Sequence, residues 1–143
     1  MSTEENKANV RRWTEEGWNQ RKEAVFDELA ASNWVHHDPG LPTVRTLADY
    51  KRWASETHNA FPDYQVTIED MIAEGDKVVI RHTFHGTNTG EIVTPMPLPA
   101  TGKQVTASGI TIVRVAGGKG VEVWSQTDTL GIMQQLGVIP TMA

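Results

Sequence analysis

Three short stretches of the chain hold side chains able to move protons: His36-His37-Asp38, Arg81-His82-Thr83-Phe84-His85 and Trp124-Ser125-Gln126-Thr127-Asp128. The last reads as a strand, in which alternate side chains share a face. Trp124, Gln126 and Asp128 therefore form one row, and Val123, Ser125 and Thr127 the other. A carboxylate beside an indole and short of water has its pKa raised into the range where it exchanges protons, so Asp128 is the expected general base. The plainer reading of Asp128 is a surface acid at a strand end. His36 and His37 are adjacent in extended chain, and only one of them can face an interior. In the second stretch His82 is expected inward, on the face with Val78, Ile80 and Phe84, and His85 on the other.

Other chemistries lack their residues. Neither His36-His37-Asp38 nor His82-x-x-His85 has the i, i+4 helical spacing that aims two imidazoles at one ion, so no metal is expected. No glycine-rich strand-to-helix motif is present and no cofactor is expected. Ser108 and Ser125 lack the strand–turn–helix context of an acyl-enzyme nucleophile. With a net charge of −5 and dispersed Lys and Arg, the chain has no basic stripe for a phosphate backbone, so nucleic acid is not an expected partner. The absence of cysteine fits a reducing compartment. A polar, acidic start and no apolar run of membrane-spanning length lead to the expectation of a soluble cytoplasmic protein with no membrane partner. Five tryptophans in 143 residues exceed what a small core needs and suit a ligand pocket or a subunit interface.

The elements that must position these groups follow from periodicity. The length suits a single domain over residues 1–143. Ser2-Thr3-Glu4-Glu5 has capping-box spacing, and Val10, Trp13, Gly17 and Trp18 recur at helical intervals, predicting a helix to about Asn19. Gly17 would let it approach a neighbour closely. A short helix with Val25, Phe26 and Leu29 inward follows, then an extended segment through Trp34 and His36. A third helix opens at Arg45 or Thr46, carries Leu47, Tyr50, Trp53, Ala54, Thr57 and Phe61 as a stripe, and ends at Pro62. From Tyr64 the period becomes two, with strands predicted over 64–74, 77–86, 104–114 and 120–129 and hairpin turns at Gly75 and Gly117-Gly118. Pro95, Pro97 and Pro99 make 87–103 an ordered rim loop, and 130–136 adds a turn of helix. Helices followed by an antiparallel meander give an α+β domain with the helices on one face of a strongly twisted sheet.

Several stretches resemble the SnoaL-like polyketide cyclases, within the nuclear transport factor 2-like superfamily that also holds ketosteroid isomerases. They are Trp34-Val35-His36-His37-Asp38-Pro39, Phe61-Pro62-Asp63, Ile72-Ala73-Glu74-Gly75-Asp76-Lys77-Val78, Gly86-Thr87-Asn88-Thr89-Gly90, Thr101-Gly102-Lys103, Ser108-Gly109-Ile110 and Trp124-Ser125-Gln126-Thr127-Asp128, in the family's order. The resemblance implies a cone-shaped, curved antiparallel sheet of about four to six strands wrapped around three N-terminal helices, cystatin-like and ketosteroid-isomerase-like. It also implies a deep pocket and usually a dimer. In the founding cyclases the aspartate of W-x-x-x-D is acid and base in a cofactor-free aldol closure, and here that residue is Asp128. The family pattern V-x-H-D selects His37 as the pocket histidine. Asn88 stands where the family often has histidine, so hydrogen bonding is kept and proton transfer is lost.

The expected site is then Asp128 and His37 for catalysis, with Trp34, Trp53, Phe61, His82, Trp124 and Gln126 around the substrate. Trp13 and Trp18 are expected in the core. The expected partner is a small hydrophobic or aromatic molecule. A homodimer is expected to form on the sheet's outer face, through Ala107, Thr111, Val113, Val121, Val123, Ser125 and Thr127. The rival readings are a non-catalytic dimeric binder of a small apolar ligand and a hydrolase on the same fold.

Overall fold

The computed structural model describes residues 2–141, so residues 1, 142 and 143 of the expected domain lie outside the described residues. Helix α1 (Thr3–Arg12) starts where the Ser2 hydroxyl accepts the Glu5 N–H at 3.1 Å. It continues without a break into a π-helical stretch over Trp13–Asn19. Gly17 in that stretch sits against the Phe26 ring of α2 (Ala24–Leu29), where a Cβ would collide with the ring. Strand β1 (Ala30–His37) leads to α3 (Leu47–Ala60). Thr46 and Asp49 form a reciprocal capping box at the start of α3, a device worth about 1 kcal/mol. Strands β2 (Gln65–Glu74), β3 (Lys77–Thr87), β4 (Gln104–Ala116) and β5 (Lys119–Thr127) form the meander, and α4 (Thr129–Leu136) closes the fold.

The sheet order is β1-β5-β4-β3-β2. Pairing is antiparallel throughout except that β1 joins β5 in parallel, so the sheet is mixed at that edge. Its twist wraps the helices, giving the expected α+β cone with five strands. The concave face is set by the positions that are apolar at period two. These are Val66 on β2, Val78, Ile80 and Phe84 on β3, Val105, Ala107 and Val115 on β4, and Val121 and Val123 on β5, all buried. Trp18, Phe26, Trp34 and Tyr50 from the helical layer and β1 form one core with Val66, Phe84, Val105, Ala107 and Val123, while Val78 and Ile80 pack with Val10 of α1.

Two sets of residues lie on the face opposite to the expected one. The odd positions of β4 and β5, proposed from sequence as an exposed dimer surface, point into the cone and are covered by the chain's own helices. The convex face instead carries Ile72, Val79, Ile112, Trp124 and His37, which the strand register places side by side across all five strands.

The proline-rich segment is an ordered loop, as its composition requires. Asn88, fully buried, latches it: Oδ1 accepts from the Thr101 N–H at 3.0 Å and from the Thr101 hydroxyl at 2.9 Å, while Nδ2 donates to the Gly90 carbonyl at 2.7 Å. The residue that departs from the family's histidine thus serves the loop.

Candidate functional site

Between the helices and the concave sheet lies a cavity of about 240 Å³. It runs from Asn6 and Gly118 at the hairpin-turn end to Thr94 and Met133 at the other, beneath the proline-rich loop and α4. Trp13, Trp18, Trp34 and Trp53 line it, so the two tryptophans expected purely in the core also wall the pocket. An apolar cavity of roughly 150 Å³ accepts benzene, so this one suits a body of two fused rings.

Polar groups enter this wall at a few points. Trp34, His36 and Asp38 continue one parity along β1 and past its end, and all three line the cavity. His36 is 2 % exposed, stacks on Trp34 at 5.8 Å between centroids, and holds the Val44 carbonyl at 2.8 Å through Nδ1. A carbonyl only accepts, so Nδ1 carries the proton and Nε2 keeps its lone pair in the neutral ring. Burial pulls the His36 pKa down, which favours that neutral form. Asp38, half-buried, accepts the Gly40 N–H at 2.9 Å with one oxygen. Desolvation raises its pKa, and the Gly40 N–H and, where the ring is protonated, His36 offset only part of that. The second carboxylate of the wall, Glu56, is engaged by the Thr94 hydroxyl of the rim loop at 2.9 Å.

Tyr50 reaches the same space from α3. Its oxygen accepts the indole N–H groups of Trp13 at 3.2 Å and Trp18 at 2.8 Å, which leaves its own O–H to donate. Burial pushes the phenol pKa up to about 12 despite those two donors. On the sheet side, His82 Nε2 lies 3.1 Å from Thr111 Oγ1, which lies 3.0 Å from Ser125 Oγ. All three residues line the cavity. Desolvation lowers the His82 pKa, so this ring too is neutral at pH 7. Its place depends on Gly109, where an added Cβ would stand 2.9 Å from His82 Cε1 and 2.8 Å from the Gln126 carbonyl oxygen.

Of the residues expected at the site, Trp34, Trp53, Phe61 and His82 line the cavity, and four others do not. Trp124 and Gln126 are on the convex face, because β5 turns Val123, Ser125 and Thr127 inward. Asp128 is exposed and ends the strand instead of extending it, and its Oδ1 accepts the Gly131 N–H at 2.9 Å as the N-cap of α4. His37 also faces outward, since the parallel register sets His36 beside Val123 and His37 beside Trp124. It stacks on Trp124 at 5.8 Å and pairs with Glu122 Oε2 at 2.8 Å, and that hydrogen bond is the main cause of the lowered Glu122 pKa. Asp38, His36, Tyr50, Thr111 and Ser125 are cavity residues that sequence reasoning missed. For Asp38 and His36 the signal was available in their shared parity with Trp34.

Among the described residues no cluster of three or more His, Cys, Asp or Glu could hold a metal, and no helix is long and apolar enough to cross a membrane. Residues 8–136 match the family model for SnoaL-like polyketide cyclase. The chain is 31 % identical to a candidate polyketide cyclase from Acidithiobacillus ferrooxidans, with 96 % of this chain and 99 % of that one covered and a TM-score of 0.81. A candidate SnoaL-like polyketide cyclase from Jannaschia sp. CCS1 is 23 % identical, with 96 % and 95 % covered and a TM-score of 0.84. A protein of ketosteroid isomerase-like fold from Catenulispora acidiphila, solved with trimethylamine, is 18 % identical, with 90 % and 92 % covered and a TM-score of 0.70. No curated protein matches.

Proposed function

This chain belongs to the SnoaL-like polyketide cyclases, and from that premise we propose that it is a cofactor-free acid–base enzyme acting on a small, largely apolar carbonyl compound. The observation that carries this reading is a half-buried carboxylate, Asp38, with a pKa raised by desolvation, facing the same aromatic cavity as the neutral His82. Asp38 takes a proton from the carbon next to a carbonyl. The enolate carbon then bonds to a second carbonyl carbon of the same molecule, and the proton returns to the alkoxide so formed. Tyr50 O–H and the His82–Thr111–Ser125 chain are the available hydrogen-bonding groups for the developing oxyanion. Asp128, the base expected from the motif, has no part in this reading because its carboxylate is used as a helix cap.

The first half-reaction is testable with a bicyclic ketone such as 2-tetralone, by following deuterium exchange at its α-carbon in D2O by NMR. Asp38→Asn is expected to slow protein-dependent exchange by roughly 10²–10⁴-fold and Asp128→Asn to leave it unchanged. Equal exchange by wild type and Asp38→Asn would sink the mechanism. Tight binding with no exchange in any form would favour the non-catalytic binder.

A homodimer also remains part of this proposal, moved to the other face of the sheet. The row Ile72, Val79, Ile112 and Trp124, with Ile72 65 % and the neighbouring Ile110 51 % exposed, is a β-rich apolar surface of the kind that associates. Flanking pairs, Arg81 with Asp70 and Arg114 with Glu122, supply both charge signs for a self-complementary contact.

A further inference from the structure

Resting on the proposed small-molecule reading, we propose that the hairpin-turn end of the cavity is a hydroxyl-recognition subsite read by Asn6. The inner face of α1 and of the π-helical stretch that continues it is Asn6, Asn9, Val10, Trp13 and Thr14, the i, i+3, i+4, i+7, i+8 set that one helix turns toward a neighbour. Val10 and Trp13 are what an inner stripe should contain, and Asn6 is not. It is 3 % exposed, and its Oδ1 is the one wholly buried side-chain polar atom without a hydrogen-bond partner among the described residues. A buried carboxamide oxygen left unpaired works against folding, so native structures almost always supply a partner.

Among the described residues no donor reaches Asn6 Oδ1. The Thr14 hydroxyl is committed to the Val10 carbonyl at 3.2 Å, and the Val115 N–H to the Asp76 carbonyl at 2.7 Å. What completes Asn6 must be a donor that arrives through the cavity. An ammonium group would need a counter-charge within the cavity, whose wall here is Val10, Val115 and Gly118; Asp76 lines an adjoining recess with Asn6 and does not line the cavity. A carboxylate has no proton to give. A neutral hydroxyl fits, because it donates to Oδ1 and leaves its own oxygen free to accept from the same carboxamide or a water. The ligand class is therefore a flat apolar ring system with a hydroxyl at the end remote from the reacting carbonyl, which Asp38 meets near the Gly40 turn. The hydroxyl fixes which end of the molecule enters first.

The test uses 2-naphthol and its isostere 2-methylnaphthalene, with binding to the whole protein measured by equilibrium dialysis and the Asn6 side-chain amide followed by 15N NMR. Wild type is expected to bind 2-naphthol about tenfold or more tightly than 2-methylnaphthalene and to shift the Asn6 amide signals on binding. Asn6→Leu is expected to bring the two affinities together while keeping affinity for 2-methylnaphthalene. If Asn6→Leu fails to fold, the wild-type preference and amide shift still decide. A preference for 2-naphthol that survives Asn6→Leu with an unmoved Asn6 amide would assign the hydroxyl to another acceptor and overturn the subsite alone. Asn6→Leu raising Tm with the affinity ratio unchanged would mean that Asn6 holds only a water, and would likewise overturn the subsite alone. Binding of neither compound would remove the subsite and the small-molecule reading together.

Discussion

His36 and His37 are joined by one peptide bond and occupy opposite environments. The first is enclosed by Trp34, Tyr50 and Trp53, tied to a backbone carbonyl and neutral, whereas the second lies across the convex surface on Trp124 with Glu122 as its partner. The same division runs along β5, where Val123 and Ser125 see the cavity and Glu122 and Trp124 see solvent. One residue of register therefore separates a group that can act on a ligand from one that can act only on the surface.

The sharpest way to break this comparison is to remove one indole from each face. Trp34→Ala, at a site 5 % exposed, is expected to cost ~3 kcal/mol, the low end for such truncations because one side of the ring already borders a void. Trp124→Ala is expected to change the unfolding free energy of the monomer far less while lowering the apparent mass in light scattering at micromolar concentration. Equal losses in urea unfolding would contradict the assignment of faces.

Acid titration sharpens the contrast between the histidines. His36, His58 and His82 all have pKa values lowered from 6.5 in the fold, each chiefly by burial. The unfolded chain then binds more protons than the folded one once pH falls to about that value, so stability is complete above pH 6.5 and lost on acidification through it. Asp38 works oppositely in its own window, because a carboxyl pKa raised above 3.8 disfavours the fold as pH climbs from 3.8 toward the raised value. Denaturant midpoints measured from pH 8 to 5 should fall, and His36→Gln should flatten the slope. An unchanged slope in His36→Gln would mean that its ring is charged in the fold.

The smallest expected effects concern the end of β5. Asp128→Ala removes the α4 cap and should cost about 1 kcal/mol, whereas Asp128→Asn, itself a good cap, should be nearly neutral. Neither should alter α-proton exchange. A large loss of exchange in Asp128→Asn with Tm intact would restore Asp128 as the base and displace Asp38.

The architecture was legible because each element carries its own periodicity. The helical stripe from Leu47 to Phe61, the Thr46 cap, the two glycine turns and the proline-rich loop all lie where local rules put them. The site was half legible. The apolar company of His82, Val78, Ile80 and Phe84, marks it as inward, and it lines the cavity. The strand parity that would bring Asp128 inward runs against the apolar company of Val121 and Val123 on the opposite parity, and the strand ends before reaching Asp128. The Tyr50 phenol with its two indole donors spans 37 and 32 residues of sequence, a pairing that no local pattern encodes. Asn6 was hidden for the converse reason, since an asparagine on a helix is ordinary until its surroundings are known to be dry.

The partition of the tryptophans has a practical consequence. Four of the five indoles border the cavity and the fifth, Trp124, lies on the convex face. The protein therefore carries two built-in optical reporters with separate duties. Ligand entry should quench or shift emission from the cluster around Tyr50 and leave Trp124 as a constant background. Subunit association should do the reverse, so labelling the chain with fluorotryptophan would resolve occupancy and assembly as independent signals in one spectrum, with no extrinsic dye attached.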